Sequence, residues 1–367
     1  MTTRPEWRNH NVGMYRSHAA SWRTIARSRG ELGVAMHIGL TGWAKQGTLG
    51  TQHEFLRLFE RADILGYDSI WLNEFHFMRM GLPYPSPLLL AAAIFARTSR
   101  LRVGLSVVIL PIYNPLILAE ELAQLDWQSN GRLDVGLGRG ARERSLYHTL
   151  GIEPETSRER FELGCALLVQ AWTQDTVSAT TPYWHFENVA VGPPPVQSPH
   201  PPLYIGANTE ETIAFAARRG WPLLLSLEPA EARQLALYRA VISAQGLRDD
   251  HTAFSVSRYI CIAASRREAD SLVDKMLPDL QKRRQHSSVM RRQAYDESAD
   301  TRAQFVREQA IVGTPDDCIR QLRHLRMEKG FRHLRCVFNG SGLLDNRTAL
   351  AGMELFAREV LPVCKAL

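Results

Sequence analysis

From residue 34 onward, short runs of β-branched and apolar residues alternate with longer stretches whose apolar positions recur every three or four residues. Those are the signatures of buried strands and of helices with one apolar face. The pattern predicts strands over 34–40, 68–72, 102–110, 133–138, 203–207, 222–227, 254–263 and 333–338. Between them it predicts helices over 52–65, 87–98, 115–128, 157–172, 210–219, 230–243, from Thr314 to Met327, and over 349–360. The first helix is typical, with Phe55, Leu58, Phe59, Ala62 and Leu65 on one face and Gly66 as its stop. Prolines at 87, 115 and 315 suit first helical turns, and Thr314 suits an N-cap.

Eight strands, each followed by a helix, suit a (β/α)8 TIM barrel, an α/β fold. Counting alone leaves a doubly wound sheet with a second domain open. Two stretches interrupt the alternation. Residues 174–202 are proline-rich and stiff, an excursion that leaves the core after strand 4 and returns. Residues 266–310, after strand 7, are polar and highly charged and are expected to be partly helical, a mobile lid or insertion. Residues 34–367 then read as a single barrel domain, preceded by a basic extension over 1–33.

Composition narrows this picture. The chain is 45% hydrophobic and 22% charged over 367 residues, ordinary for a globular protein. No apolar run approaches the length that spans a bilayer, so no membrane association is expected. The formal charge of +6 is concentrated in residues 1–33, where six arginines face Glu6 and Glu31, leaving +2 on the remaining 334 residues. With the basic excess confined to that arm and to 266–310, a nucleic-acid partner is not expected. The arm has no apolar signal region; it reads as a partner-bound or solvated arm, a transit-like segment, or sequence upstream of a functional start at Met14 or Met36. Five cysteines, odd in number and without a CxxC pair, suit buried reduced thiols and a cytoplasmic setting better than disulfides or zinc.

Gly136-Leu-Gly138-Arg-Gly140-Ala141 matches a dinucleotide fingerprint directly after a predicted strand. It fails as one, because three strand–helix units precede it and the position about 20 residues on lies inside a helix, not at a strand end. Close approach of the backbone to a phosphate, with Arg139 supplying charge, survives without that fold.

At these residues the chain resembles the bacterial luciferase-like, flavin-dependent monooxygenases. The resemblance is carried by Gly66-Tyr-Asp-Ser-Ile-Trp-Leu-Asn-Glu-Phe-His-Phe77, Leu101-Arg-Val-Gly-Leu-Ser-Val-Val-Ile-Leu-Pro111 and Glu120-Glu-Leu-Ala-Gln-Leu-Asp126. It continues through Asn130-Gly-Arg-Leu-Asp-Val-Gly-Leu-Gly-Arg-Gly140, Pro202-Leu-Tyr-Ile-Gly-Ala-Asn208 and Val312-Gly-Thr-Pro-Asp-Asp-Cys318. It implies a TIM-like barrel, reduced FMN as cosubstrate, and O2.

The resemblance also implies roles. Arg139 and Arg158 would grip the flavin phosphate, with Asn208, Thr209 and Thr212 at the mouth of the fifth strand–helix turn. Two guanidinium forks and a helix N-terminus suit a monophosphate on physical grounds too. Ser106 and Val107 match a pair beside the isoalloxazine ring, where the family often has a non-proline cis peptide. Leu224, Leu225 and Ser226 would line another edge of the ring. Light-emitting members carry histidine at the position of Phe75, so light emission is not expected of this chain. The adjacent His76, with Glu74, remains as acid/base or as a structural pair. Trp43, Trp71, Phe75, Phe77 and Met78, from the ends of the first two strands, would wall an apolar substrate pocket, with Leu225 beside them; Trp71, alternating inward along its strand, suits core packing better.

The implied reaction is oxygenation of a small apolar organic substrate through a flavin C4a-hydroperoxide. The reduced flavin would come from a separate flavin reductase, since no nicotinamide site is visible. A homodimer paired through helices of the second and third units is implied as well. Two other readings stay open: an oxidoreductase of the same barrel that uses the deazaflavin F420, and a non-catalytic flavin-binding or partner subunit.

Overall fold

The computed structural model describes residues 35–43, 51–77, 85–140, 144–225, 231–246, 254–290, 295, 301–340 and 342–366. The basic extension, Met78, Ala141 and Ser226 lie outside the described residues. The chain begins with β1 (His37–Thr41), α1 (Gln52–Leu65), β2 (Ser69–Leu72), α2 (Pro87–Phe95), β3 (Arg102–Ile109), α3 (Pro115–Ser129) and β4 (Leu133–Gly138). It continues with α4 (Arg144–Thr149), α5 (Ser157–Thr173), a hairpin of β5 (Val177–Thr180) and β6 (His185–Val189), β7 (Leu203–Gly206), α6 (Glu210–Arg219) and α7 (Glu231–Ala244). Last come β8 (Ser255–Ile262), α8 (Arg266–Met290), α9 (Arg302–Glu308), β9 (Ala310–Gly313), α10 (Pro315–Lys329), β10 (His333–Val337), α11 (Asn346–Glu359) and α12 (Leu361–Lys365).

Local chemistry sets the helix ends. A reciprocal box between Thr51 and Glu54 opens α1, and Gly66 closes it at φ 86°, a left-handed conformation that glycine adopts without strain. The same box between Thr314 and Asp317, followed by Pro315, opens α10.

The main sheet is parallel and runs β7-β4-β3-β2-β1-β10-β8-β9. Leu223 bridges Ile205 of β7, and Leu224 bridges Ser255 of β8, so pairing continues from β7 round to β8. The strand expected over 222–227 is thus reduced to two single-residue bridges, in a segment that opens with Pro222, which has no N–H to donate. Pro222 contributes only its carbonyl, to the Ile205 N–H at 2.9 Å.

Alternation along the strands separates two layers. Ile38, Leu40, Ile70, Val103, Leu105, Val135, Leu137, Ile205 and Leu334 are buried in the main apolar core with the helices. Their alternating neighbours form a more polar face that includes His37, Gly39, Ser69, Trp71, Arg102, Gly104, Asp134, Tyr204, His333 and Arg335. Trp71 dominates that face: a Cβ on Gly104 would lie 2.3 Å from its ring. Arg102 pairs with Asp134 at 2.8 Å and also donates to the Gly131 and Leu133 carbonyls.

The proline-rich excursion contains the β5–β6 hairpin and is tied back at Gln197. That residue's side-chain amide and backbone N–H donate to Asp126, at 2.7 and 2.8 Å. The described parts of 266–310 carry more apolar packing than their composition suggests. Ala269, Val273, Met276, Leu277 and Leu280 of α8, with Phe305 of α9, form a second apolar cluster against Tyr259, Cys261, Ala310 and Val312. The unforeseen β9 pairs there with the second half of β8.

Candidate active site

Glu74 follows β2 and is buried. Its Oε2 accepts the Ile109 N–H at 2.5 Å, while its Oε1 takes the Tyr113 hydroxyl and stands 3.0 Å from His76 Nε2. The Tyr113 phenol is pushed far up by burial and by the neighbouring carboxylate, so it keeps its proton and donates. Glu74 Oε1 thus orients the His76 ring through Nε2, with Nδ1 on the far side of the ring. Among residues the sequence singled out, Glu74 and His76 thus form a pair; Tyr113 is an addition that sequence reading missed.

At the end of β4, Arg139 is partly buried and its Nε has no hydrogen-bond partner. Burial lowers the proton affinity of its guanidinium, and nearby Arg158 lowers it further. Arg158, in the first turn of α5, stands 3.3 Å from Glu211 in the first turn of α6. Thr209 caps α6, accepting from the Thr212 N–H at 3.4 Å, with the two hydroxyls 3.0 Å apart. Gln234 holds the approach to this cap, donating to the Ala207 carbonyl at 2.5 Å and to Asn208 Oδ1 at 3.3 Å. Arg139, Arg158 and the start of α6 therefore share one neighbourhood. Within it, the charge of Arg158 acts on Arg139, and among the described residues the ion pair there is Arg158 with Glu211. Glu162 also lies close enough to Arg139 to act on its charge.

The Ser106–Val107 peptide is cis, as the resemblance implies. Val107 lies against Gly138 and Gly206; a Cβ on either would come within 2.3 and 2.7 Å of its side chain. Gly138 of the apparent fingerprint thus serves sheet packing. A Cβ on Gly136 would sit 2.1 Å from the Leu105 carbonyl oxygen. Ser106 Oγ receives a hydrogen bond of 2.9 Å from Arg335 Nη1.

The expected pocket residues divide. Trp43 is buried, and its indole N–H has no partner, an unsatisfied donor just beyond β1. Phe75 is partly buried. Phe77, at φ 57°, is 63% exposed, so it walls no enclosed pocket in this structure. Leu225 is fully buried in the core between sheet and helices. Leu224 is the residue of that pair that approaches Gly136 on the opposite face, because side chains alternate across the sheet. Among the described residues no cluster of three metal-binding side chains occurs, and no helix is long and apolar enough to cross a membrane.

The luciferase-like monooxygenase family matches residues 31–333. The alkanal monooxygenase alpha chain of Photorhabdus laumondii is 26% identical over 326 residues, covering 82% of this chain and 89% of its own. Among solved structures, the oxygenating constituent of 3,6-diketocamphane monooxygenase from Pseudomonas putida, in complex with FMN, superposes with a TM-score of 0.72 at 19% identity. That match covers 89% of this chain and 98% of its own. The coenzyme F420-dependent tetrahydromethanopterin reductase of Methanopyrus kandleri gives a TM-score of 0.64 at 18% identity, covering 90% and 99%. The chain belongs to the luciferase-like monooxygenase family. It is accordingly an α/β flavoprotein oxidoreductase of the monooxygenase type.

Proposed function

We propose that this enzyme oxygenates a small apolar organic substrate with O2, using reduced FMN delivered by a separate flavin reductase. The observation that carries the reading is the partly buried Arg139, with its unpartnered Nε beside a second guanidinium and a capped helix start. A phosphomonoester dianion would satisfy that Nε and relieve the repulsion between Arg139 and Arg158. It would also accept from the first N–H groups of α6. Arg158 would exchange Glu211 for the phosphate.

When bound, reduced flavin supplies the electrons that activate oxygen. The chain's own residues do the rest. Glu74 holds His76 so that Nδ1 exchanges a proton with an oxygen brought beside it. Trp43, Phe75 and Leu224 keep water away, and the free indole N–H of Trp43 offers one donor to a polar end of the substrate. Five buried thiols support a reducing, cytoplasmic setting. Exposed leucine and isoleucine side chains on α2 and α3 support a homodimer.

The test is a set of titrations with FMN, riboflavin and F420. Removing the Arg139 charge (Arg139→Ala) should weaken FMN about ten- to a hundredfold, the worth of a charge-assisted hydrogen bond, and leave riboflavin unchanged because it has no phosphate. Unaltered FMN affinity would overturn the phosphate assignment, and tight binding of F420 alone would overturn FMN. Oxygenation is checked by supplying reduced FMN and O2 with long-chain aldehydes, ketones and alkanes. Release of peroxide without oxygenated product from every substrate would overturn the monooxygenase reading.

A further inference from the structure

Arg335 occupies the centre of β10 and is only 4% exposed, yet among the described residues no carboxylate lies within ion-pair reach of it. Its contacts are all neutral. Nη1 donates to Ser106 Oγ at 2.9 Å, and Nη2 donates to the Leu225 carbonyl at 2.5 Å and to the Ser255 carbonyl at 3.4 Å. Its guanidinium carbon lies 5.6 Å from the Trp71 ring centroid, and its Nε has no partner. Burial pushes the group down to about 9, which still leaves it charged at neutral pH. Tyr204 is the one titratable neighbour that acts on it, and a phenol is neutral there.

A buried cation without a counter-charge is expensive, and replacing such groups by apolar ones is often neutral or stabilising. An anion brought beside it would therefore be stabilised strongly. Both ends of its fork hold groups next to the proposed ring site, Ser106 on one side and the Leu224–Leu225 backbone on the other. Oxidised flavin is neutral in its ring. The reduced ring is an anion near neutral pH, with the charge on its pyrimidine side.

We propose that Arg335 is a positioning residue that fixes Ser106 and holds a buried positive charge beside the proposed ring site, and that this side chain is what makes the site bind reduced flavin in preference to oxidised flavin. This rests on the flavin reading above and assigns the choice between redox states to one residue. The two arginines at the phosphate see the same dianion in both states and confer no such preference. A protein that takes its flavin already reduced, from a pool that also holds oxidised flavin, needs this discrimination.

The experiment measures dissociation constants of oxidised FMN in air and of reduced FMN under anaerobic conditions. It uses the full-length protein and its Arg335→Met, Arg335→Lys and Arg139→Ala variants. The unaltered protein should bind reduced FMN at least about tenfold more tightly than oxidised FMN; each tenfold in that ratio corresponds to about 30 mV in the two-electron potential of the bound flavin. Arg335→Met should lose most of that ratio and Arg335→Lys should keep much of it. Arg139→Ala should weaken both states alike. A preserved ratio in a folded Arg335→Met variant overturns the proposal. If that variant does not fold, the unaltered protein decides: equal or weaker affinity for reduced FMN overturns it. Failure of the unaltered protein to bind FMN in either state removes the flavin reading and this inference together, whereas loss of the ratio alone leaves the flavin reading standing.

Discussion

Glu74 receives the Ile109 N–H, the Tyr113 hydroxyl and His76 Nε2 on its two oxygens, so each of them has a protein partner. Removing the phenol (Tyr113→Phe) should therefore lower stability by about 1.5–3 kcal/mol, the worth of a hydrogen bond to a charged group, as read from urea unfolding. FMN affinity should not change, because among the described residues Tyr113 bonds to Glu74 and not to Arg139, Arg158 or Thr209; a parallel loss of FMN binding would contradict that independence. Glu74 and His76 were legible because they stand two residues apart in a recognisable run. Tyr113 and Arg335 were not, since their partners lie 39 and 229 positions away, a separation that only the fold closes. The one local trace of Arg335 was an arginine inside an otherwise apolar strand pattern. The cysteines were legible as small buried apolar groups, and all five are buried. Burial pushes Cys261, Cys318 and Cys364 up from 9.0 to about 12. Between those values the folded chain keeps protons that the unfolded chain has released. The thiols therefore favour folding below pH 9, and their contribution is lost as pH rises toward about 12. The urea midpoint should fall between about pH 8 and about pH 10, and fall less in Cys364→Ala.

Among the elements, α1 and α6 fall over 52–65 and 210–219, as their periodicity and caps predict. Most strands agree within one to three residues, because parallel strands buried on both faces read as plain apolar runs. The reading was weakest over 266–310, where charge dominates and the apolar positions of α8 are thin: Ala269, Val273, Met276, Leu277 and Leu280. Those residues nevertheless meet Phe305, Ala310 and Val312 in a separate apolar cluster, which a composition argument cannot detect. Truncating Phe305 to alanine should cost about 3–5 kcal/mol, the range for a fully buried phenylalanine, measurable as a lower urea midpoint. A loss below about 1 kcal/mol would mean that α8 and α9 are not anchored and that this segment moves as a unit. The glycines give a second check on packing. Gly104 was read only as part of a family motif, but a Cβ there would lie 2.3 Å from Trp71.

At the scale of the whole molecule, the sheet and its helices bury most large apolar side chains and leave a few in the open. Leu89 on α2 is 76% exposed and Ile117 on α3 is 56% exposed. The two helices pack side by side, flanking β3. These are helices of the second and third units, where the resemblance implies that two copies meet. Both residues stand on the outer side of helices whose opposite faces, Leu88, Leu90, Leu116 and Leu118 among them, serve the core. Apolar side chains in such places are what a second copy would cover. In a two-fold dimer one patch meets itself, so a single introduced charge appears twice across the interface and repels its own copy. Light scattering coupled to size exclusion should therefore report a dimer for the unaltered chain and a monomer for a Leu89→Glu, Ile117→Glu double variant. That variant should keep the unfolding free energy of the single chain, from urea unfolding, within about 0.5 kcal/mol, since exposed positions contribute little to its folding. A dimer that survives both charges would place the interface elsewhere on the molecule.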